Sequence, residues 1–269
     1  MKSFSNARIA LLEARMSSEL ADMIRRYGGE PYSVPAVREV PVDAREDVSA
    51  FIDKLNRSAV SVVVFFTGVG VKGLIQEAER LERLPELLDA LRHVTVVSRG
   101  HKPAAVLKRY KIPIAVNTSE PYTTNDLLDA LATLDLVGVG VGVVHYGERN
   151  VQLTETLVDR GAHVEELCVY EWLMPEDIGP LQTLIQEIID ERVDAVVFTS
   201  QIQARHLFRI AADLQATDKL TRALNTSTIV ASVGPTCTAA LRDLGVTPHV
   251  EPEHPKSGHL IKALADYMK

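Results

Sequence analysis

Two stretches of the sequence decide the fold: residues 94–108, which read VTVVSRGHKPAAVLK, and residues 229–242, which read IVASVGPTCTAALR. Each begins with a run rich in β-branched residues, turns at a glycine (Gly100 and Gly234) and continues with the spacing of a helix. A short apolar run bounded by glycine and serine is typical of a strand buried on both faces of a parallel sheet. The two stretches are therefore predicted to be equivalent units of strand, turn and helix, about half the chain apart.

The similarity extends outward from these stretches on both sides. Upstream, residues 62–68 (VVVFFTG) parallel residues 195–200 (AVVFTS). Downstream, residues 124–131 parallel residues 257–264, and the opening residues 9–29 resemble residues 143–161, with Arg15 and Arg149 at the same place. Such an internal repeat, together with alternating strand and helix patterns, predicts an α/β protein with two similar domains built on parallel sheets.

Composition and charge exclude several classes of protein. The chain has 269 residues, 46% of them apolar, and a net charge of −7 at pH 7. This length and apolar content suit about two domains with real cores and exclude intrinsic disorder. The acidic balance argues against a nucleic-acid-binding groove, and two cysteines, Cys168 and Cys237, cannot make a disulfide framework. The longest apolar stretch, residues 136–144, is too short to cross a membrane and no leader opens the chain, so we expect a soluble, cytoplasmic protein.

Two extended segments bear on the boundary between the domains. Residues 31–41 and 163–172 are both rich in branched residues, and each follows the first helix of its own half. If both segments cross between the domains and pair as a two-stranded ladder, the opening strand and helix belong with the C-terminal half, and that domain is discontinuous. Periodicity alone leaves this arrangement and two simple tandem domains both open.

The residues that could bind a ligand lie where the predicted strands end. Parallel sheets bind ligands outside the carboxyl ends of their strands, where helix N-termini present free N–H groups. Glycine, hydroxyl and basic residues at those ends suit a carboxylate or a phosphate, so we predict an anionic ligand. The alternative is that they only form turns and cap helices. The predicted ligand-binding residues are Arg15, Thr67, Gly68, Val69, Gly70, Arg99, Lys102, Tyr146, Gly147, Arg149, Thr199, Ser200, Gln201, Gly234, Pro235 and Thr236.

Several other patterns do not predict a site. The glycines of residues 138–142 (GVGVG) lie before and within a strand, so they do not match a dinucleotide-binding motif. Residues 67–70 (TGVG) lack the lysine and hydroxyl residue of a triphosphate-binding loop. The eight histidines are scattered, which disfavours a metal site. We interpret His145 and Cys237 as packed residues.

Tyr170 is the candidate for acid catalysis. It lies in residues 168–175 (CVYEWLMP), at the end of the second extended segment. A phenol, with an ordinary pKa of about 10, stays protonated at neutral pH and can donate a hydrogen bond or a proton to a leaving oxygen. The alternative is that the ring only seals the hinge between the domains.

Taken in order, these residues resemble the uroporphyrinogen-III synthase family along nearly the whole chain. The most specific part is residues 232–241 (SVGPTCTAAL), followed by residues 245–248 (GVTP) and 253–255 (EHP) before the last helix. Residues 67–70 and 197–200 and the pair Val169-Tyr170 add to the resemblance. Order and spacing carry it, rather than any single motif.

The resemblance implies two flavodoxin-like α/β domains joined by a two-stranded ladder, with the active site in the cleft between them. It favours a discontinuous first domain over tandem domains. On this basis the first domain is expected to comprise residues 1–37 and 173–269, and the second residues 42–167. Residues 31–41 and 163–172 are expected to be the crossing strands.

The resemblance also implies an activity: a lyase that cyclises hydroxymethylbilane, a linear tetrapyrrole, in haem, sirohaem or cobalamin biosynthesis. Loss of the terminal hydroxyl as water gives an azafulvene, and ring D is inverted through a spiro intermediate. Tyr170 would assist departure of the hydroxyl, and Thr236 would lie at the cleft. The resemblance implies no metal or organic cofactor. We also expect no nucleic-acid or membrane partner, a monomer, and at most transient contact with hydroxymethylbilane synthase.

Two other functions stay open at this point. Two lobes joined by crossing strands also describe binding proteins that close on an anionic small molecule without catalysis. A flavodoxin-like domain is also compatible with a phosphate or flavin ligand. The isomer ratio of the cyclised product would distinguish the enzyme from the binding protein, and a yellow colour on purification would indicate a flavin.

Overall fold

A computed structural model describes residues 4–14, 17–145 and 147–269, and most of its strands are followed by a helix. The strands are β1 (Arg8–Leu11), β2 (Glu30–Ser33), β3 (Arg38–Pro41), β4 (Val62–Phe65), β5 (Thr95–Ser98), β6 (Val116–Asn117), β7 (Gly140–Val144), β8 (His163–Leu167), β9 (Tyr170–Leu173), β10 (Ala195–Phe198) and β11 (Ile229–Ser232). The helices are α1 (Ser17–Arg26), α2 (Arg45–Asn56), α3 (Gly68–Arg80), α4 (Leu84–His93), α5 (His101–Arg109), α6 (Thr124–Leu131), α7 (Val151–Asp159), α8 (Gly179–Ile189), α9 (Gln201–Asp213), α10 (Thr217–Thr226), α11 (Pro235–Asp243) and α12 (Ser257–Tyr267). Within the described ranges, none of these helices has the length and apolar character needed to span a membrane.

The chain divides into two compact units, and each is described by itself. The discontinuous unit comprises Met1–Arg38 and Leu173–Lys269, and the continuous unit comprises Glu39–Trp172. The chain passes from one unit to the other in β3 and β9, which pair in a two-stranded sheet. The predicted fold class, two similar α/β domains with parallel sheets joined by a two-stranded ladder, is confirmed.

The discontinuous unit is built on a four-stranded parallel sheet in the order β11-β10-β1-β2. Val250 adds an isolated parallel bridge to Ala231 of β11. The strand residues alternate between two apolar clusters, so the helices cover both faces with apolar side chains and the strands can be apolar throughout. The first cluster takes Ala10, Val196, Phe198 and Val230, and the second takes Ile9, Leu11, Ala195, Val197 and Ala231.

The continuous unit is built on a five-stranded parallel sheet in the order β6-β5-β4-β7-β8. All four residues of β4, at its centre, are buried. Val62 of β4 lies beside Thr95 of β5 on one side and Val141 of β7 on the other. The buried faces of helices α2 to α7 pack with these strands in one apolar cluster.

The two sheets have the same strand order when equivalent strands are matched. Strands β2, β1, β10 and β11 correspond to β8, β7, β4 and β5, and Val250 takes the position of β6. Numbered from the start of each unit, the discontinuous sheet has the order 2-1-3-4, as in flavodoxin, and the continuous sheet has the order 3-2-1-4-5. The continuous unit is therefore a circular permutation of the same sheet.

The two extended segments, residues 31–41 and 163–172, need a correction in extent. Their first parts, β2 and β8, are edge strands of the two parallel sheets, and only β3 and β9 form the ladder. Pro35, which lacks a backbone N–H, lies in the break between β2 and β3. An extended pattern predicts a strand but does not say which neighbour it pairs with. For this reason each segment was predicted as one crossing strand, although it contains residues of two strands.

The glycine-rich residues 138–142 are explained by packing. β7 begins at Gly140, so the stretch lies before and within a strand, as predicted. A Cβ added at Gly140 would lie 1.8 Å from the carbonyl oxygen of Ala59, and one added at Gly142 would lie 2.6 Å from the ring of Phe51. Glycine thus lets α2 and the residues after it lie against the sheet.

Candidate active site

Each parallel sheet has a switch point, where the chain moves from one side of a strand to the other. The switch point lies between β1 and β10 in the discontinuous unit and between β4 and β7 in the continuous unit. Open parallel sheets bind ligands outside the carboxyl ends of the strands at such points. Six predicted site residues that the structure describes follow these strands within three positions: Thr67, Gly68, Gly147, Thr199, Ser200 and Gln201.

At each switch point, a residue just after one of the two neighbouring strands contacts a residue just after the other. In the continuous unit the pair is Phe66 and His145, whose rings are stacked with centroids 6.1 Å apart. In the discontinuous unit the equivalent pair is Thr199 and Glu13, and the Thr199 hydroxyl donates to the Glu13 carboxylate at 2.6 Å. The same two positions carry an aromatic pair in one unit and a hydrogen bond to a carboxylate in the other, so the two switch points differ chemically.

The hydroxyl groups of Tyr170 and Thr67 meet at the end of β4. The Tyr170 Oη lies 3.0 Å from the Thr67 Oγ1, and Tyr170 is only 5% exposed. The same Thr67 oxygen accepts a hydrogen bond from the Gly70 N–H at 3.0 Å and so caps α3. Because Thr67 is fixed by the helix that it caps, it holds the Tyr170 phenol in one position.

The turn that carries Thr67 is closely packed. A Cβ added at Gly68 would lie 3.1 Å from the Lys102 carbonyl oxygen, and one added at Gly70 would lie 3.2 Å from the His145 carbonyl oxygen. Val69, between them, packs against the apolar cluster of the unit. The two glycines therefore bring the start of α3 against the first turn of α5 and the end of β7.

Trp172 connects Tyr170 to the loop that follows β7. The two rings meet edge to face with centroids 6.4 Å apart. The Trp172 N–H donates to the Gly147 carbonyl oxygen at 3.3 Å, and a Cβ added at Gly147 would lie 2.8 Å from the Trp172 ring. Gly147 also has a φ of 78°, in the left-handed region that favours glycine. Its lack of a side chain is needed both for this backbone conformation and for the approach of Trp172.

Arg99 and Lys102 bring basic groups to the end of β5. The Arg99 guanidinium carbon lies 4.9 Å from the centre of the Phe66 ring, a cation–π contact. Gly100, with a φ of 85°, lies between β5 and α5, and Lys102 is exposed in the first turn of α5. The stacked Phe66 at the switch point therefore has a positive group held against it.

Arg149, Glu166 and His145 form a hydrogen-bonded network beside the switch point. Arg149 binds the Glu166 carboxylate with two groups, its Nε at 2.8 Å from Oε2 and its Nη2 on Oε1. The His145 Nε2 lies 2.7 Å from the same Oε2, and the His145 Nδ1 accepts from the Asn150 N–H at 3.3 Å. Since Nδ1 is the acceptor, the neutral ring carries its proton on Nε2 and donates it to Glu166.

We expect the continuous unit to lose stability in acid because of His145. Burial lowers the pKa of this ring, whereas in the unfolded chain it takes its ordinary value of about 6.5. As the pH falls below about 6.5 the unfolded chain takes up the proton first, so the free energy of unfolding decreases as the pH falls through the folded pKa. The Arg149 guanidinium also lowers the pKa of Glu166, which adds a loss of the same sign at lower pH.

Urea unfolding measured between about pH 7.5 and pH 5 checks this expectation. His145→Gln, which cannot titrate in this range, should flatten the dependence of unfolding free energy on pH. An equal slope in the wild type and in this variant would contradict the assignment to His145.

The two backbone N–H groups that precede α9, after β10, are hydrogen-bonded by a side chain of that helix. The Gln203 Oε1 accepts hydrogen bonds from the N–H groups of Thr199 at 2.8 Å and Ser200 at 3.3 Å, and its Nε2 donates to the Thr199 Oγ1 at 2.9 Å. The prediction of free N–H groups for an anion does not hold for these two, because α9, which begins at Gln201, uses them itself.

The turn after β11 packs tightly against the segment before α12. A Cβ added at Gly234 would lie 2.8 Å from the Pro255 Cβ. Pro235 opens α11, and Thr236 beside it is exposed. Burial raises the pKa of the Cys237 thiol to about 11, in agreement with its interpretation as a packed residue. In the first turn of α11, the Thr236 side chain is thus exposed and the Cys237 side chain is buried.

The structure distributes the predicted residues over two sets of strand ends, and their role in ligand binding stays a prediction. Thr67 to Gly70, Arg99, Lys102, Gly147, Arg149 and Tyr170 lie around the ends of β4, β5 and β7 in the continuous unit. Thr199, Ser200, Gln201, Gly234, Pro235 and Thr236 follow β10 and β11 in the discontinuous unit. Arg15 and Tyr146 lie outside the described residues.

Sequence reasoning missed Glu166 and the contact of Trp172 with Gly147. A signal for Glu166 was present: a partly buried carboxylate in an edge strand, one strand away from a histidine. The pairing of β7 with β8 that brings the two together was not predicted, so the signal was not used.

Fold and site together define a doubly wound α/β protein with two related sheets and polar side chains at the strand ends. A sequence profile described as uroporphyrinogen-III synthase HemD matches residues 18–262. The chain therefore belongs to the uroporphyrinogen-III synthase family, and the prediction that it is a lyase-type enzyme of this family is confirmed.

Three relatives illustrate the similarity. A crystal structure of a mutant uroporphyrinogen III synthase from Thermus thermophilus is 26% identical, with a TM-score of 0.76 over 98% of this chain and 100% of that one. An uncharacterized protein of Bacillus subtilis, YjjA, is 30% identical over 99% of this chain and 97% of its own length. A putative uroporphyrinogen-III synthase of Methanothermobacter thermautotrophicus is 29% identical over 93% of each chain.

Proposed function

We propose that the chain converts hydroxymethylbilane to uroporphyrinogen III, closing the macrocycle with inversion of ring D and release of water. The observation that carries the proposal is the Tyr170–Thr67 hydroxyl pair at a switch point, in a chain that belongs to this family. The predicted monomeric state, cytoplasmic location and transient contact with hydroxymethylbilane synthase are part of the same proposal.

The first chemical step is loss of the terminal hydroxyl group. The carbon–oxygen bond breaks, the oxygen leaves with a proton as water, and the adjoining pyrrole loses its N–H proton to give a neutral azafulvene. Tyr170 is suited to assist, because a neutral phenol can donate a hydrogen bond to the departing oxygen without first having to be charged. Thr67 supports this role because it fixes the phenol oxygen at 3.0 Å.

Substrate recognition is assigned to basic side chains at the same strand ends. Hydroxymethylbilane carries an acetate and a propionate on each ring, so it is a polyanion, while the protein has a net charge of −7. Attraction must therefore come from local groups and not from the field of the whole protein. Arg99, Lys102 and Arg149 are the groups that we assign to these carboxylates in the continuous unit.

The remaining work of the site is to control which carbon attacks. The azafulvene is reactive by itself and closes without inversion when it is free in solution. To obtain the inverted isomer, the site must hold ring D so that its substituted carbon attacks first and forms the spiro intermediate. A rigid set of anchors supports this role, because orientation in a fixed geometry is worth many powers of ten in rate.

The isomer ratio of the product tests the proposal. The purified protein is incubated with hydroxymethylbilane generated enzymatically, and the type I and type III macrocycles are separated after oxidation. An excess of type III is expected with the protein and type I without it. Equal ratios in the two reactions would overturn the proposal, and binding of the bilane with no change in ratio would favour a non-catalytic binding protein.

A further inference from the structure

The network of Arg149, Glu166 and His145 joins an exposed guanidinium to a fully buried ring. The Arg149 side chain is 64% exposed, that of Glu166 is 21% exposed and that of His145 is 0% exposed. Glu166 stands on β8, His145 directly follows β7, and Arg149 lies in the loop that leads to α7. The three residues therefore connect the core of the continuous unit to its surface at the switch point.

Each member of the network is held by the one beneath it. Both nitrogens of the His145 ring are engaged, one by the Asn150 N–H and one by Glu166, and Phe66 stacks on the ring. The Glu166 Oε2 also lies 3.4 Å from the Thr154 hydroxyl, so the carboxylate has partners from three directions. A carboxylate fixed in this way can hold the planar guanidinium of Arg149 in a single orientation.

The adjoining residue of the same strand provides a contrast. Glu165 pairs with Lys54 at 2.5 Å, and both side chains are partly exposed, at 40% and 29%. Side chains alternate between the two faces along a strand, so Glu165 and Glu166 point in opposite directions from β8. Lys54 lies in α2 and bonds Glu165, whereas His145 and Arg149 bond Glu166.

We propose that Glu166 is the positioning residue of a carboxylate-binding subsite at this switch point, with Arg149 as the group that contacts the carboxylate. Two of the five N–H donors of Arg149 bind Glu166, which leaves others to bind a second carboxylate. The inference rests on the proposed function for the identity of the substrate, whose acetate and propionate groups would occupy the subsite. Its chemical requirement is more general: a ligand with several carboxylates.

Two single variants and their combination test the proposal. Glu166→Gln keeps an oxygen that can accept from the His145 Nε2–H but removes the charge that holds Arg149. Arg149→Lys keeps the charge but loses the two-pronged geometry, at a side chain that is 64% exposed. We expect each to raise KM for hydroxymethylbilane about tenfold, the value of one charge-assisted hydrogen bond, with kcat within about twofold of the wild type.

The double variant distinguishes positioning from a merely structural role. If Glu166 acts through Arg149, adding Glu166→Gln to Arg149→Lys should raise KM by less than about twofold further. Glu165→Gln is the matched control, since it removes a carboxylate from the next position of the same strand, and its KM should equal that of the wild type. Unchanged KM in Arg149→Lys, or an equal rise in Glu165→Gln, would overturn the proposal even if Glu166→Gln failed to fold.

A direct titration separates this inference from the proposed function. Uroporphyrin, the oxidised macrocycle with the same acetate and propionate groups, is fluorescent and can be titrated with protein without any turnover. The wild type should bind it about tenfold more tightly than either single variant. If the wild type fails to cyclise the bilane but shows this difference, the subsite stands and the proposed function fails. Equal binding by wild type and both variants would overturn the subsite whatever the activity.

Discussion

Tyr170→Phe is expected to lower the turnover of hydroxymethylbilane about 10- to 100-fold without abolishing it. The substitution removes one oxygen from a ring that is 5% exposed, and it keeps the edge-to-face contact with Trp172. It takes away the donor that assists departure of the hydroxyl, while the groups assigned to substrate orientation stay in place. The expected loss lies at the lower end of general acid catalysis because the hydroxyl that leaves needs only modest help. KM should stay within about twofold of the wild type, since the lost interaction belongs to the transition state.

Two further variants control this measurement. Thr67→Val removes the hydroxyl that holds the phenol and the cap of α3, so it should lower turnover less than Tyr170→Phe and reduce the free energy of unfolding by about 1 kcal/mol. Tyr267→Phe, at a residue 55% exposed in the discontinuous unit, should change neither quantity. Turnover by Tyr170→Phe equal to that of the wild type would remove Tyr170 from the mechanism.

Gly140→Ala is expected to reduce the free energy of unfolding of the continuous unit by about 3 kcal/mol or more. The added Cβ would lie 1.8 Å from the carbonyl oxygen of Ala59, which is backbone and cannot rotate away. Because Gly140 starts β7, between β4 and β8, the strand cannot shift without breaking its pairing on both sides. Denaturant unfolding followed by circular dichroism measures the loss.

The neighbouring Gly138 gives the matched control from the same stretch. Its φ is 71°, but a Cβ added there would meet no atom within 4 Å. Gly138→Ala should therefore cost only the backbone strain of the left-handed conformation, about 1 to 2 kcal/mol. If the two variants were equally stable, the close approach of Ala59 would not be the reason for glycine at position 140.

Much of the fold could be predicted from local pattern and from the repeat. The spacing of apolar residues placed a helix over residues 17–26, which are the bounds of α1, and the run VVVF is β4. Central strands are easy to predict because burial on both faces removes polar residues from them. Edge strands are harder, since β2 and β8 carry polar and charged residues that are exposed or only partly buried.

The candidate site was predictable in part for a related reason. Thr67, Gly147 and Tyr170 could be proposed from the sequence because they lie at the ends of predicted strands or of an extended segment, which are local patterns. The partner of Tyr170 is Thr67, which lies 103 residues away in sequence, and no periodicity encodes such a pairing. The same holds for His145 and Glu166, which face each other only because β7 and β8 pair in the observed register.

In the sequence, the continuous unit lies between the two segments of the discontinuous unit, and this order constrains how the protein is synthesised. A ribosome completes Glu39–Trp172 before it synthesises Ala195–Phe198, the strand that lies beside β1. Domains fold as units as they emerge, so the continuous unit can reach its tertiary structure while β1 still lacks β10 as its neighbour on one side. A nascent chain arrested where Glu39–Trp172 has left the ribosome but Ala195–Phe198 is still inside the exit tunnel should therefore resist protease over Glu39–Trp172 and remain cleavable in the residues that precede it. The residues before Glu39 are therefore synthesised before the continuous unit, but they complete their sheet only after it.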